Sequence, residues 1–333
     1  MSDLPFPKSL PDFQRLFPDD AACAAYLELI HWPTGFRCAC GWSGNPYRFA
    51  QRPGVLRCRQ CQKDTRLTAG TVMENTRTPL STWFWASYLL ASQTPGMSAV
   101  QFQRQLGLSR YETAFQILHK LRAGMVRPDR DRIGTGTSAD HVEVDETYVG
   151  GTTKGEGRGV HHKVLVAAAV EVRTKAAAVG KAAPRRGGRY AGRLRLSVVP
   201  NRTAKVLQTF VTQSVNEGSM LITDDWAGYD KIATLGYQHL QVSERGGENV
   251  AEDYLPIVHL IFSNLKSWLY GVHHGVAPQH LQAYLNEFTF RFNRRFYPFN
   301  AFRRLLGIAA DAEPPTYVSL YSGEYHHPWA LTG

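Results

Sequence analysis

The stretch His141-Val142-Glu143-Val144-Asp145-Glu146-Thr147-Tyr148-Val149-Gly150-Gly151 decides the fold of the second half of the chain. Val142 and Val144 alternate with acidic residues, and this period of two predicts a β-strand with one buried face, ended by the glycine pair. Asp145 and Glu146 are adjacent, so their side chains point to opposite faces of the strand. A carboxylate in a buried strand is costly unless a cation compensates it, and a divalent metal is the usual cation. The alternative is a surface strand with solvated acids.

Length and composition restrict the class of protein. The 333 residues allow two or three domains, and no apolar run is long enough to span a membrane. The N-terminus lacks the basic-then-apolar pattern of a secretion signal, so we expect a cytoplasmic protein. The net charge of +10 and the pI of about 9.4 favour a polyanionic partner.

Four of the five cysteines fall into two close pairs, Cys38-Ala39-Cys40 and Cys58-Arg59-Gln60-Cys61, with seventeen residues between them. In a cytoplasmic chain this clustering favours metal binding over disulfides. Two thiolate pairs on separate knuckles can close one tetrahedral, structural Zn²⁺ site. The first pair has one intervening residue where two are usual, which makes that knuckle tighter. The predicted Zn²⁺ ligands are Cys38, Cys40, Cys58 and Cys61.

Three helices are predicted after the cysteines. An aromatic-rich helix, Thr82–Ser92, is followed by a shorter one, Ala99–Leu106, and a third begins after the turn Gly107-Leu108-Ser109. We predict that Ser109 and Glu112 form a capping box at the start of the third helix. A helix, a short glycine-containing turn and a capped helix are typical of a helix-turn-helix, with a plain helical hairpin as the alternative. The residues away from the apolar stripe, predicted to contact DNA, are Arg110, Thr113, Gln116 and Lys120.

Beyond a polar linker at residues 128–138, strands and helices are predicted in the order β-β-β-α-β-α-β, followed by two more helices. Between the second and third strands, from Arg173 to Arg195, eight Lys or Arg residues occur without an acid. We expect a basic loop or hairpin suited to phosphate contact, and a merely solvated loop is the alternative. The residues predicted to contact DNA here are Arg185, Arg186 and Arg189.

Acidic residues on two predicted strands can form one site. Asp145 lies on the first strand and Asp224 at the end of the fourth, and they converge if these strands are neighbours. Two carboxylates make a hard-oxygen site suited to Mg²⁺ or Mn²⁺, and a pair of such ions can cut a phosphodiester. In the helix after Pro256, His259 and Lys266 share a face because an offset of seven residues nearly returns to the same direction.

At these residues the chain resembles bacterial insertion-sequence transposases. The resemblance is carried by Asp145 in Val-Glu-Val-Asp-Glu-Thr-Tyr-Val-Gly-Gly, by Asp224 in Thr-Asp-Asp-Trp-Ala-Gly-Tyr, and by the run His280–Arg295. It covers the chain from Trp32 to about Ile308, and it is to the ISXO-like group that joins a zinc ribbon, a helix-turn-helix and a DDE-type domain. It implies a multi-domain α+β and α/β protein, in which the last domain is a ribonuclease-H-like mixed five-stranded sheet flanked by helices. It also implies a two-metal cut-and-join reaction on DNA.

The resemblance also implies a third metal-site residue, seven positions before a basic residue on the late helix. Counting back from Lys266 gives His259, which lies 35 positions after Asp224 as the family pattern expects. The predicted catalytic set is therefore Asp145, Asp224, His259 and Lys266, the first three holding the divalent cations. Histidine is a softer ligand than glutamate and relatively favours Mn²⁺. A rival is that Glu252 or Asp253, upstream of the helix, supplies the missing carboxylate.

The implied function is that of a transposase that binds the ends of its element, cleaves them and transfers the strands. The expected partners are double-stranded DNA, as terminal inverted repeats and target, and further copies of the chain in a homodimer or higher oligomer, without a membrane. We expect association with the bacterial nucleoid. An impaired transposase that acts as a DNA-binding regulator is the alternative, and a stand-alone nuclease has no use for two DNA-binding modules. The predicted domains are an N-terminal helical segment (1–35), the zinc ribbon (36–78), the helix-turn-helix (79–127), the catalytic domain (138–310) and a tail (311–333).

Overall fold

The polypeptide divides between a first unit, Met1–Arg127 with Arg294–Tyr325, and a second unit, Pro128–Asn293 with His326–Gly333. The computed structural model describes residues 4–93, 95–125, 131–134, 140–150, 163–175, 188–242, 254–311 and 315–322. Residues 294–310, which the prediction assigned to the catalytic domain, pack in the first unit. The first unit is therefore built from both ends of the chain.

The helices and strands of the second unit occur in the predicted order except between the last two strands. None of the described helices is long and apolar enough to cross a membrane. The helices are α1 (Leu10–Leu16), α2 (Asp20–His31), α3 (Leu80–Ser92), α4 (Ala99–Gln105), α5 (Tyr111–Ala123), α6 (Ala204–Ser214), α7 (Pro256–His273), α8 (Leu281–Phe292), α9 (Pro298–Asp311) and α10 (Tyr317–Ser322). The strands are β1 (Tyr47–Phe49), β2 (Arg52–Arg57), β3 (Asp64–Arg66), β4 (His141–Val149), β5 (Val164–Thr174), β6 (Arg189–Val198), β7 (Met220–Asp224) and β8 (Gln238–Val242). The helix predicted between the last two strands is instead a pair of short 3-10 turns, Ala227–Tyr229 and Ile232–Leu235.

An aromatic cluster forms the core of the first unit. The ring of Phe302 on α9 lies 5.5 Å from Phe17 and 6.0 Å from Phe84, and Phe13 packs on Phe17 at 5.4 Å. Phe302 is 1% exposed. Burying a side chain of this size stabilises a fold by about 1.5–3 kcal/mol, so α9 is an integral part of this core.

The helices α4 and α5 are joined by a tight turn in which Gly107 adopts φ +61°. The capping box predicted for α5 is wrong: the helix begins one residue later, Arg110 occupies the N-cap position, and no side chain caps it. The helix pair remains, because Phe102 on α4 and Ile117 on α5 are buried. The helix-turn-helix interpretation of this pair stays a prediction.

A five-stranded sheet forms the second unit, in the order β6-β5-β4-β7-β8. The strands β6, β5 and β4 are antiparallel neighbours, whereas β7 and β8 run parallel to β4. One face of the sheet packs against α6, and the other packs against α7 and α8. The predicted mixed five-stranded sheet with flanking helices, of ribonuclease-H-like type, is confirmed.

The central position of β4 corrects one expectation. Its alternating pattern predicted a single buried face, yet Glu143 and Val144, which point to opposite faces, are both 0% exposed. The reason is that helices cover both faces of the sheet, so even the acidic face of this strand is in the protein interior. A buried carboxylate requires partners, and those partners build the candidate site.

Candidate functional site

The four predicted zinc ligands lie together at one end of the small β-sheet in the first unit. The Sγ atoms of Cys38 and Cys61 are 3.6 Å apart, those of Cys40 and Cys58 are 3.8 Å apart, and all four lie within 4.8 Å of one another. Four sulfurs bound to one tetrahedral zinc at about 2.3 Å would lie about 3.8 Å apart. The four residues therefore fit a structural Zn²⁺ ion.

Backbone hydrogen bonds favour the thiolate form of one of these cysteines, Cys58. Burial would raise the pKa of Cys58, but the backbone N–H groups of Cys61 and Gln60 donate to its sulfur, and the pKa is lowered to about 7. A thiol with this pKa is largely available as thiolate, the form that binds zinc. The shorter first knuckle closes through the N–H of Gly41, which donates to the carbonyl of Cys38 at 2.9 Å, with Gly41 at φ +89°.

The two predicted aspartates come from neighbouring parallel strands. Glu143 on β4 pairs with Ile222 on β7, and Asp145 and Asp224 each follow two residues further along. Residues two apart on a strand share a face, so this pairing places Asp145 and Asp224 on the same face of the sheet, on neighbouring strands. The structure thus brings together the two strands that the sequence analysis placed side by side.

The helix α7 brings the predicted histidine and lysine to the same strand face. His259 Nε2 lies 3.3 Å from Asp145 Oδ2, and Lys266 Nζ donates to Thr147 Oγ1 at 2.7 Å. Two helix residues that are seven apart therefore contact two residues of β4 that are two apart. This is the arrangement expected from the shared helical face of His259 and Lys266.

Glu143 anchors α7 and was missed by the sequence analysis. Its Oε2 accepts hydrogen bonds from the backbone N–H groups of Ile257, at 2.9 Å, and Val258, at 2.7 Å, in the first turn of the helix. A buried carboxylate at a helix N-terminus is favourable for two reasons: it satisfies amides that lack a partner within the helix, and it complements the helix dipole. The anchor fixes where α7 starts, and hence which of its residues reach Asp145. The signal was present, because Glu143 shares the strand face of Asp145.

Electrostatic repulsion between carboxylates marks the site. The pKa of Asp224 is raised to about 6, first by burial and then by the negative charges of Asp145 and Glu146, against the opposing effects of the Trp226 N–H and Arg202. Carboxylates that repel one another in this way are stabilised by a divalent cation. Two carboxylates and one imidazole are suitable ligands for Mg²⁺ or, with the nitrogen ligand, Mn²⁺. Within the part of the chain that the structure describes, only the four cysteines converge as a tight metal-ligand group, so these three side chains would have to draw closer around an ion.

Two regions of the amino-acid sequence match known transposase domain families. Residues 137–293 match the family described as ISXO2-like transposase domain, and residues 18–64 match the transposase zinc-ribbon domain. The chain belongs to the IS1595-type zinc-ribbon DDE transposases. The longer match ends at residue 293, where the long segment of the second unit, Pro128–Asn293, also ends. No curated protein and no solved structure matches the chain significantly.

Arg202 connects Asp224 with Glu146, which lies on the opposite face of β4 from Asp145. Arg202 forms an ion pair with the buried Glu146, and its Nη2 lies 3.7 Å from Asp224 Oδ2. The guanidinium also lies over the ring of Trp226 at 4.3 Å, and Tyr229 donates to Glu146 at 2.5 Å. Glu146, on the face opposite Asp145, thus supports the site indirectly. Sequence reasoning missed Arg202, because no motif or spacing connects it to Asp224.

The residues of α5 that were predicted to contact DNA differ in their solvent exposure and in their contacts within the protein. Arg110 is exposed and Thr113 and Gln116 are partly exposed. Lys120 donates from Nζ to the backbone carbonyl of Glu74 at 3.2 Å, and partial burial lowers its pKa. Lys120 is therefore partly engaged within the first unit of the transposase.

The basic stretch is partly a β-hairpin. Its two sides are β5 and β6, with Arg189 at the start of β6 opposite Thr174. Arg193, on β6, is bound to the buried Glu171 and to Asp131. The predicted contacts Arg185 and Arg186, and the rival acids Glu252 and Asp253, lie outside the residues that the structure describes.

Proposed function

We propose that the chain cuts and joins DNA at the ends of its insertion sequence, with Asp145, Asp224, His259 and Lys266 as its catalytic residues. One observation carries the proposal. The helix α7 is anchored so that His259 Nε2 lies 3.3 Å from Asp145 Oδ2, on a strand whose parallel neighbour supplies Asp224. A histidine with a merely structural role has no need of two converging aspartates.

In this proposal Asp145, Asp224 and His259 hold two divalent cations, Mg²⁺ or Mn²⁺. Such ions, when bound, activate a water for attack on the phosphodiester and stabilise the leaving oxygen. Arg202 keeps Asp224 in place through its ion pair with Glu146 and its contact with Trp226. Lys266 offers its ammonium to a phosphate near the cut bond, since its Nζ is held by Thr147 beside Asp145.

Recognition of the element's ends is proposed for the zinc ribbon, within residues 36–78, and for α5, within residues 79–127. The catalytic domain, predicted to span residues 138–310, is proposed to comprise residues 138–293, because residues 294–310 pack in the first unit. Joining both ends of one element to a target requires two active sites, which favours a homodimer or larger assembly on double-stranded DNA. The net charge of +10 supports a negatively charged partner such as DNA.

The test uses purified full-length protein, labelled DNA of the element's ends, and Mg²⁺ or Mn²⁺. Asp145→Ala, Asp224→Ala and His259→Ala should each lower 3′-end nicking at least about 100-fold and leave end binding unchanged. His259→Glu should keep or raise nicking with Mg²⁺, because it restores an anionic oxygen ligand. Asn264→Ala, on another face of the same helix, is the control and should nick like the parent.

A different outcome would assign the role of third metal ligand to another residue. If His259→Ala cuts as well as the parent while Glu252→Ala does not, the upstream acid is the third ligand. The second candidate function is a regulator that binds the element's ends without cutting them. The neutral histidine at the position where the family expects an acid favours it. Tight end binding without nicking in either metal would establish this second function.

A further inference from the structure

A cavity opens in the second unit beside the candidate site. Its volume is about 430 Å³, within the range of pockets that hold small ligands. Lys266 and Tyr270 on α7, Tyr148 and Gly150 at the end of β4, and Lys163 before β5 line one part of it. The apolar side chains Leu269, Val276 and Leu281 line another part.

The walls of this cavity combine aromatic rings with positive charge. Tyr270 is 75% exposed and Tyr148 is 39% exposed, so both rings offer surface to a partner. Lys163 and Lys266 both line the cavity, and the pKa of Lys266 is lowered, first by partial burial and then by the positive charge of Lys163. The lining residues that the structure describes include no Asp or Glu. Aromatic faces beside cations suit a nucleic-acid base and its phosphate.

The cavity adjoins the atoms that would react. Lys266, which lines it, contacts Thr147, and Thr147 follows Asp145 by two residues on the same face of β4. Two residues of a strand span about 7 Å. A nucleotide next to a phosphate bound at Asp145 therefore lies within reach of the cavity.

We propose that this cavity receives one unstacked nucleotide of the DNA strand, adjacent to the bond that is cut, with its base against Tyr270 and its phosphate between Lys163 and Lys266. The inference rests on the proposed function, because it takes the bond to be cut at Asp145 and Asp224. When a base leaves the duplex, the active site can approach the phosphate next to that base. Stacking of the base on an aromatic ring offsets the lost base pairing. Both the element's end and the target duplex contain such a nucleotide.

The test measures how mismatches change DNA affinity, because a mismatched base leaves the duplex more readily. Full-length zinc-loaded protein is titrated, without Mg²⁺ or Mn²⁺, against end duplexes that each carry one mismatch at successive positions around the cut bond. A second series places the mismatches in a target duplex. One position within two nucleotides of the cut bond should bind about tenfold more tightly than the matched duplex. The series that shows the gain identifies which DNA supplies the nucleotide.

Variants connect that gain to the cavity. Tyr270→Ala should abolish the mismatch preference and Lys163→Ala should reduce it, and since both side chains are exposed, both proteins should fold. Tyr297→Ala is the matched control, because Tyr297 is also 75% exposed but lies in the first unit, and it should retain the preference. No preference at any position in the parent, or an equal preference in Tyr270→Ala, overturns the proposal. Nicking of matched ends is measured separately. If the protein nicks DNA but shows no mismatch preference, only the cavity proposal is wrong. If it shows the mismatch preference but does not nick DNA, only the proposed cutting role is wrong.

Discussion

Removing the carboxylate of Glu143 should release the start of α7. Its Oε2 accepts two backbone hydrogen bonds, at 2.9 and 2.7 Å, in a fully buried setting. Hydrogen bonds to a charged group contribute about 1.5–3 kcal/mol each, and two that share one oxygen are less than additive. Glu143→Ala should therefore lower the local opening free energy by about 3–5 kcal/mol. In Glu143→Gln, an amide oxygen replaces the charged one and the bonds are roughly half as strong, so the loss should be about 1.5–2.5 kcal/mol.

Hydrogen exchange followed by mass spectrometry measures this quantity directly. In Glu143→Ala, amides of the first turn of α7 should exchange about 100- to 4,000-fold faster than in the parent, because about 1.4 kcal/mol corresponds to a factor of ten. Glu171→Gln is the control: it changes an equally buried glutamate, on β5, and should leave α7 unaffected. Unchanged exchange at Ile257 and Val258 in Glu143→Ala would refute the anchoring role.

Three further changes test other parts of the chain. Freshly purified protein should contain about one zinc per chain, and Cys58→Ser should lose it; metal analysis without zinc in the parent would contradict the site. Burial would raise the pKa of Glu171, but Arg193, the Gly134 N–H and Arg173 lower it to about 2. Its contribution, about 3 kcal/mol, should be complete above about pH 4.5 and be lost as the pH falls toward 2. The free energy of unfolding of Glu171→Gln, measured by urea titration at several pH values, should therefore fall less over this range than that of the parent. Neutralising Arg185, Arg186 and Arg189 of the basic stretch should weaken binding to all DNAs. It should also reduce the slope of log K against log salt by about 1 for each phosphate that is no longer neutralised, and an effect on specific binding alone would contradict this.

The periodic features of the sequence predicted most of the second unit. The alternation around Asp145 and the seven-residue offset between His259 and Lys266 are local properties of strands and helices, and the structure places both side chains of α7 on β4 as those properties require. The cysteine spacing similarly predicted a cluster of four sulfurs. Each of these predictions rests on a local feature, which is the period of one strand or helix or the spacing of two cysteines on one knuckle.

Contacts between elements distant in the chain were not predictable. Arg202 reaches Asp224 because a loop after β6 passes the end of β7, and Lys120 is held by a carbonyl 46 residues earlier. The capping box at Ser109 failed for a local reason, since the chain there continues the turn and starts the helix one residue later. Sequence patterns indicate which secondary structure a residue favours, whereas these contacts depend on which distant residues the folded chain places beside it.

The return of residues 294–325 to the first unit has a consequence for biosynthesis. During translation Phe302 is made about 175 residues after Arg127, so at roughly 5–20 residues per second the ring arrives about 9–35 s later. Until then Phe17 and Phe84 lack the neighbour that completes their cluster, while residues 128–293 of the second unit are synthesised. The core of the first unit is thus begun first and completed only after these residues have been made. A fragment that stops at residue 127 should consequently aggregate, whereas one in which a short linker replaces residues 128–293 should be soluble.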